Sequence, residues 1–182
     1  MIQNPILPGF HPDPCIVRVG EDYYLAVSSF EWFPGIPLYH SKDLKNWELV
    51  DYALKSVKYA DLTGERASKG VWAPCLSYCE KEKRFYVFYS NIHGSNLWKM
   101  DIDNFLIWAD DIHGPWSDPV YVMSSGFDAS LFHDGDKKWM VWQERDTRPQ
   151  NTAHRPIVLQ EFDIGQKRLV GKPIRLTYGF TE

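Results

Sequence analysis

The chain has 182 residues, of which 44% are hydrophobic and 15% aromatic, so it is long enough to bury one sizeable core. A net charge of −4, a pI near 5.9 and the lack of any Lys/Arg cluster argue against a nucleic-acid partner. No apolar run approaches the roughly 20 residues of a membrane-spanning helix, and the first residues do not have the pattern of a signal peptide. We therefore expect a cytoplasmic protein without a membrane partner.

The first informative feature along the chain is Asp13, which lies between two prolines in the run Gly9-Phe10-His11-Pro12-Asp13-Pro14. Pro14 favours an extended backbone at Asp13 and stiffens the segment in front of the apolar residues that follow. Such clusters are common in turns. A carboxylate held this rigidly can also be directed into a site, and the run alone does not decide between the two interpretations.

Three units of similar order follow one another, each with a short apolar strand, a polar turn and an aromatic strand. The short strands are predicted at 14–17, 74–77 and 129–132, and the aromatic strands at 23–27, 85–89 and 139–142. Third strands are predicted at 38–41, 106–109 and 157–160, and a polar segment with an outer strand follows at 43–50, 111–120 and 163–170. The Asp134-Gly135 pair predicts a tight hairpin between two of these strands.

Four antiparallel strands in each unit, repeated at about 50 to 65 residues, indicate an all-β protein built from β-propeller blades. We assign the blades approximately to residues 1–60, 61–125 and 126–182. No stretch shows a clear 3.6-residue period, so helices should be minor. A β-sandwich is the alternative, but it does not explain the matching order of elements.

The repeat gives Asp13 a partner, because Asp128 precedes the first strand of the third unit and Trp72-Ala73-Pro74 holds the same place in the second. The first strands of propeller blades line the central axis, so these residues should meet at one mouth of it. Two carboxylates beside an aromatic wall are typical of a site that cleaves glycosidic bonds. The alternative for Trp72 is ordinary packing between blades.

Several runs together resemble the N-terminal part of glycoside hydrolase family 43, the five-bladed propeller β-xylosidases and α-L-arabinofuranosidases. The matching runs are residues 4–14, 29–35, 39–47, Trp72-Ala73-Pro74 and 126–132. The resemblance touches nearly the whole chain, and the ordered set is specific although each piece alone is weak. It implies an inverting hydrolase that releases xylose or arabinose from the non-reducing ends of xylo-oligosaccharides or arabinoxylan fragments.

By this resemblance Asp13 is the general base and Asp128 is the second carboxylate, which orients the acid and raises its pKa. Phe30 and Trp72 match substrate-contacting aromatics, with packing as the alternative for both. The general acid of the family is a glutamate in a Thr-Glu-Gly-Pro run, and here the chain stops at Thr181-Glu182. Glu182 is therefore either that acid or a frayed terminal residue.

The resemblance also implies five blades, of which this chain supplies about three, so we expect an incomplete catalytic propeller that is inactive or weakly active by itself. The alternative function is a non-catalytic carbohydrate-binding propeller fragment. No cofactor is expected; some family members hold a calcium ion, but no residue pattern here requires a metal. The three cysteines, Cys15, Cys75 and Cys79, are read as packed thiols. Oligomeric state and the choice between xyloside and arabinofuranoside stay open.

Overall fold

The computed structural model describes residues 2–96, 99–144 and 155–177, which form strands, turns and loops and contain no helix. Twelve strands lie in this part of the chain, in three four-stranded antiparallel sheets. The first sheet contains β1 (Cys15–Val19), β2 (Asp22–Ala26), β3 (Gly35–Ser41) and β4 (Glu48–Leu54). The second contains β5 (Gly70–Cys79), β6 (Arg84–Asn96), β7 (Lys99–Ala109) and β8 (Val120–Met123). The third contains β9 (Phe127–Asp134), β10 (Lys137–Gln143), β11 (Ile157–Asp163) and β12 (Arg168–Arg175).

Within each sheet the strands pair in sequence order, each antiparallel to the next. The prediction of an all-β chain with four antiparallel strands in each unit is confirmed. The first strands β1, β5 and β9 contact one another in turn, which brings the leading edges of the three sheets together. The division of the chain into blades at 60 and 125 stays a prediction.

The aromatic strand of the second sheet shows why its sequence does not alternate between apolar and polar residues. Phe85, Val87 and Tyr89 belong to the core shared with the first sheet. Tyr86 and Phe88 point the other way, into the core shared with the third sheet. A strand that is covered on both faces is apolar at every position, and burial on both sides fixes the middle sheet between its neighbours.

Some strands differ in length from their sequence pattern. The predicted hairpin at Asp134-Gly135 is confirmed, with Asp134 paired to Lys137 across a two-residue turn. In contrast, β7 begins at Lys99 although the pattern placed this strand at 106–109. Asn104, which is fully buried there, accepts a hydrogen bond of 2.7 Å from the Ser90 hydroxyl. Because that polar side chain is satisfied inside the sheet, it does not end the strand.

The outer faces of the first and third sheets are covered differently. On the first sheet, Leu25 and Val27 are buried, and Leu7 of the N-terminal segment packs against them. On the third sheet, the side chain of Phe132 is exposed. Nothing in the described ranges qualifies as a helix long and apolar enough to span a membrane.

Candidate active site

One backbone geometry recurs near the start of all three sheets. Asp13, Ala73 and Asp128 have φ values of 53°, 40° and 49°, in the left-handed region that residues other than glycine rarely adopt. One residue, Pro14, separates Asp13 from the start of β1, whereas Ala73 and Asp128 lie inside β5 and β9. Because β1 contacts β5 and β5 contacts β9, the three positions lie near adjoining edges of the three sheets. Unusual backbone conformations of this kind cluster at functional sites.

The expectation that Pro14 keeps Asp13 extended is therefore wrong. Aspartate tolerates the left-handed region better than most residues, and two hydrogen bonds from Ser28, one to Pro12 and one to the Asp13 carboxylate, hold the conformation. The Ser28 N–H donates to the Pro12 carbonyl over 3.0 Å. The Ser28 hydroxyl donates to Oδ2 of Asp13 over 2.6 Å. These tertiary contacts outweigh the local preference that proline imposes.

Asp128 shares its surroundings with Asp13, although 115 positions (128 − 13) separate them in the sequence. Partial burial of its carboxyl, and then the negative charge of Asp13, raises the pKa of Asp128. The residue keeps an exposed surface, and protein atoms displace only part of the water around its carboxyl. The negative charge of Asp13 contributes to this rise, so the two carboxylates interact electrostatically across the leading edges of the first and third sheets.

A row of aromatic rings runs beside the two carboxylates. Phe10 and Phe30 have ring centroids 5.6 Å apart, Phe30 and Trp72 are 5.7 Å apart, and Trp72 and Phe127 are 6.3 Å apart. Phe127 is the neighbour of Asp128 in the chain, so the row passes from the first sheet to the third. The predicted pair Phe30 and Trp72 lies at the middle of the row, where both rings are half-buried.

The loop before β5 fixes the position of Trp72. Its indole N–H donates to the Ser68 carbonyl over 3.1 Å, and the Lys69 ammonium lies 5.3 Å from the ring centroid. Phe30 and Val71 form a two-residue β-bridge through hydrogen bonds of 2.9 and 3.0 Å. The aromatic row is thus attached to the backbone of both sheets, as a preformed recognition surface requires.

The described structure does not test two of the predictions, the general acid and the absence of a metal cofactor. Glu182, the candidate general acid, lies outside the described residues. Within the described ranges, no group of three or more His, Cys, Asp or Glu side chains is arranged to hold a metal ion. The expectation of no metal cofactor remains a prediction.

Sequence reasoning missed three residues of the site. Phe10 and Phe127 stand in the motifs that identified Asp13 and Asp128, but nothing in their spacing marks them as part of a row. Ser28 gave no signal at all, because a serine at the end of an apolar strand is ordinary. Its role depends on contacts with Asp13 and Ala73 that only the folded chain creates.

Repeated four-stranded sheets, with two carboxylates and an aromatic row at their leading edges, are features of a glycoside hydrolase domain. Comparison with known families agrees: the model of "Glycosyl hydrolases family 43" matches residues 2–182. The chain belongs to this family.

Two curated relatives and one solved structure illustrate the similarity. The chain is 51% identical over 174 residues to "Xylosidase/arabinosidase 43B" of Humicola insolens, covering 93% of this chain and 31% of the relative. It is 48% identical over 174 residues to a "Beta-xylosidase" of Bacillus subtilis (strain 168), covering 94% and 32%. The crystal structure of a xylan beta-1,4-xylosidase from Bacillus halodurans C-125 superposes with a TM-score of 0.91 at 49% identity, covering 99% and 34%. The chain thus spans about a third of the length of these proteins.

Proposed function

We propose that the protein carrying this chain is an inverting glycoside hydrolase that releases xylose or arabinose from the non-reducing ends of xylo-oligosaccharides or arabinoxylan fragments. The observation that carries the proposal is the pairing of Asp13 with Asp128 beside the aromatic row. The names of the two relatives, xylosidase/arabinosidase and beta-xylosidase, support xylose or arabinose as the released sugar.

In this proposal Asp13 is the general base. Its left-handed backbone and the hydrogen bond from Ser28 direct the carboxylate, which accepts a proton from a water molecule as that water attacks the anomeric carbon. Inversion requires a gap of about 6.5 to 9.5 Å between base and acid, wide enough to admit the water.

Asp128 has a different role in this proposal: it is the second carboxylate, which orients the acid and raises its pKa. As a second negative charge in the site, it favours the protonated form of a nearby carboxylic acid. That acid would protonate the leaving oxygen, and Glu182 is our candidate for it. Trp72 and Phe30 would contact the apolar face of the sugar ring.

The test uses a chimaera in which residues 2–177 replace the matching segment of the Bacillus subtilis relative. We expect this chimaera to hydrolyse an aryl β-xyloside or an aryl α-L-arabinofuranoside, and the ratio of the two rates defines the preferred sugar. The 182-residue chain alone should release little of either sugar, since it spans about a third of its relatives.

In the chimaera, Asp13→Asn should lower kcat/KM by about a thousandfold, because the general base is lost. Asp134→Asn is the matched control: Asp134 is the last residue of β9, at the opposite end of the strand from Asp128, and its substitution should leave turnover unchanged. Wild-type turnover by Asp13→Asn would show that Asp13 is not the base. Sugar binding by a chimaera that folds but hydrolyses neither substrate would favour the non-catalytic alternative.

A further inference from the structure

Ser28 occupies an unusual position between the candidate base and the neighbouring sheet. The side chain is 2% exposed, so its hydroxyl has little access to bulk water. The Ala73 N–H donates to Ser28 Oγ over 2.7 Å, and Ser28 Oγ lies 2.6 Å from Oδ2 of Asp13. A hydroxyl carries a single proton. Because the Ala73 contact supplies its own proton, the serine proton is directed to the carboxylate.

The short distance to Asp13 is typical of a hydrogen bond to an ionised acceptor. Hydroxyl-to-carboxylate bonds of about 2.5 to 2.7 Å are roughly twice as strong as neutral ones. The bond involves Oδ2 only; among the described residues, none donates a hydrogen bond to Oδ1. Ser28 therefore fixes the carboxylate by one oxygen and leaves the other without a hydrogen bond from the described residues.

The same serine also fixes the backbone that carries the base. Its N–H donates to the carbonyl of Pro12, the residue before Asp13. Ser28 thus holds Asp13 through both the main chain and the side chain, and it links this assembly to Ala73 in the second sheet. The left-handed backbone of Asp13 and of Ala73 brings both partners within reach of one hydroxyl.

We propose that Ser28 is the positioning residue of the candidate base: it aims the Asp13 carboxylate and ties that aim to the second sheet. The inference rests on the proposed function for its kinetic consequence, whereas the geometric claim stands on the hydrogen bonds alone. Displacement of a catalytic group by about 1 Å can lower the rate about a hundredfold.

Ser28→Ala and Ser29→Ala in the chimaera form a matched pair for the test. Ser29 is the adjacent buried serine, 5% exposed, and its hydroxyl likewise accepts a backbone N–H, that of Ile36 over 3.1 Å. Both substitutions remove one buried hydroxyl and leave one N–H without its acceptor. The difference between them is the bond to Asp13, so any shared loss of thermal stability cancels in the comparison.

We expect Ser28→Ala to lower kcat by about tenfold to a hundredfold with KM changed by less than about threefold, and Ser29→Ala to leave both near the wild type. In an Asp13→Ala background, Ser28→Ala should lower the residual activity by less than about threefold, because a positioning residue acts only through the group it positions. Equal kcat values for the two serine variants, or the same fold-loss with and without Asp13, would overturn the proposal.

Crystal structures of the two variants provide a readout that needs no activity. Ser28→Ala should show the Asp13 carboxylate in a new rotamer, and Ser29→Ala should retain the present one. An unmoved carboxylate in Ser28→Ala overturns the inference even if the enzyme is active, whereas a moved carboxylate in an inactive chimaera supports it and refutes only the proposed function. If Ser28→Ala does not fold, Ser28→Cys keeps the volume but supplies only a weak donor, and the same shifts are expected.

Discussion

The ion pair between Glu82 and Lys138 joins the second and third sheets, and its removal tests how strongly they are coupled. The Lys138 side chain is 2% exposed, and its ammonium contacts the Glu82 carboxylate and lies 5.1 Å from the centroid of the Tyr86 ring. Among the described residues, Glu82→Ala would leave the buried ammonium with the aromatic ring alone as a partner, which offsets about 0.5 to 2 kcal/mol. Breaking one side of a buried pair costs about 3 to 5 kcal/mol.

Because the Glu82 side chain is 31% exposed, we expect the lower end of that range: a loss of about 3 kcal/mol in the free energy of unfolding. Urea denaturation followed by tryptophan fluorescence measures it. Lys138→Met added to Glu82→Ala should restore most of the loss, since no charge is then left buried. The control is Glu80→Ala, whose pair with Lys83 is exposed on both sides, so its removal should leave the free energy of unfolding nearly unchanged.

The same pair predicts a pH dependence. Burial alone would raise the pKa of Glu82, but hydrogen bonds from Lys138 and Tyr86 outweigh it and lower that pKa. The unfolded chain then binds more protons at this residue than the folded one, so the contribution is present at neutral pH and lost as the pH falls through the lowered value. The wild type should therefore lose more stability than Glu82→Ala between about pH 5 and pH 3. A cost below 0.5 kcal/mol for Glu82→Ala, or parallel pH curves, would refute the reasoning.

Two further predictions concern the boundary between the first and second sheets. A hydrogen bond with the Cys75 thiol lowers the pKa of Cys15 to about 7 against the effect of burial. Iodoacetamide should therefore modify Cys15 at a rate that rises through pH 7, while the buried Cys79 reacts far more slowly. Modification of Cys79 before Cys15, as measured by peptide mapping, would contradict this prediction. Gly70 has φ +88°, and a Cβ there would lie 2.5 Å from the Phe30 carbonyl oxygen. Gly70→Ala should therefore lower the unfolding free energy by about 2 kcal/mol or more. An unchanged urea midpoint would show that the β-bridge between Phe30 and Val71 can shift without a loss of stability.

Much of the fold could be predicted because the repeat is recognisable from residues that are close together in the sequence. Aromatic strands, polar turns and the Asp134-Gly135 pair specify hairpins locally, and in each sheet the strands pair in sequence order. The length of β7 could not be predicted, because it depends on a hydrogen bond between Ser90 and Asn104 on separate strands. Patterns along one strand do not contain that information.

The site was predictable to a similar depth. The pairing of Asp13 with Asp128 followed from their matching places in the repeat, and the charge coupling between them agrees with it. The conformation of Asp13 did not follow, because the local effect of Pro14 is opposed by contacts with Ser28, 15 positions away. Glu182 stays a prediction.

The left-handed residue near the start of each sheet has a consequence for how such a domain can diversify. Asp13, Ala73 and Asp128 occupy one conformation, but only two of them carry a carboxylate. The three repeats therefore share a backbone position with positive φ, and the residue at that position decides the chemistry. Ala73 shows that this backbone conformation forms without a reactive side chain. A single codon change could therefore add or remove an acidic group while the sheet keeps its structure.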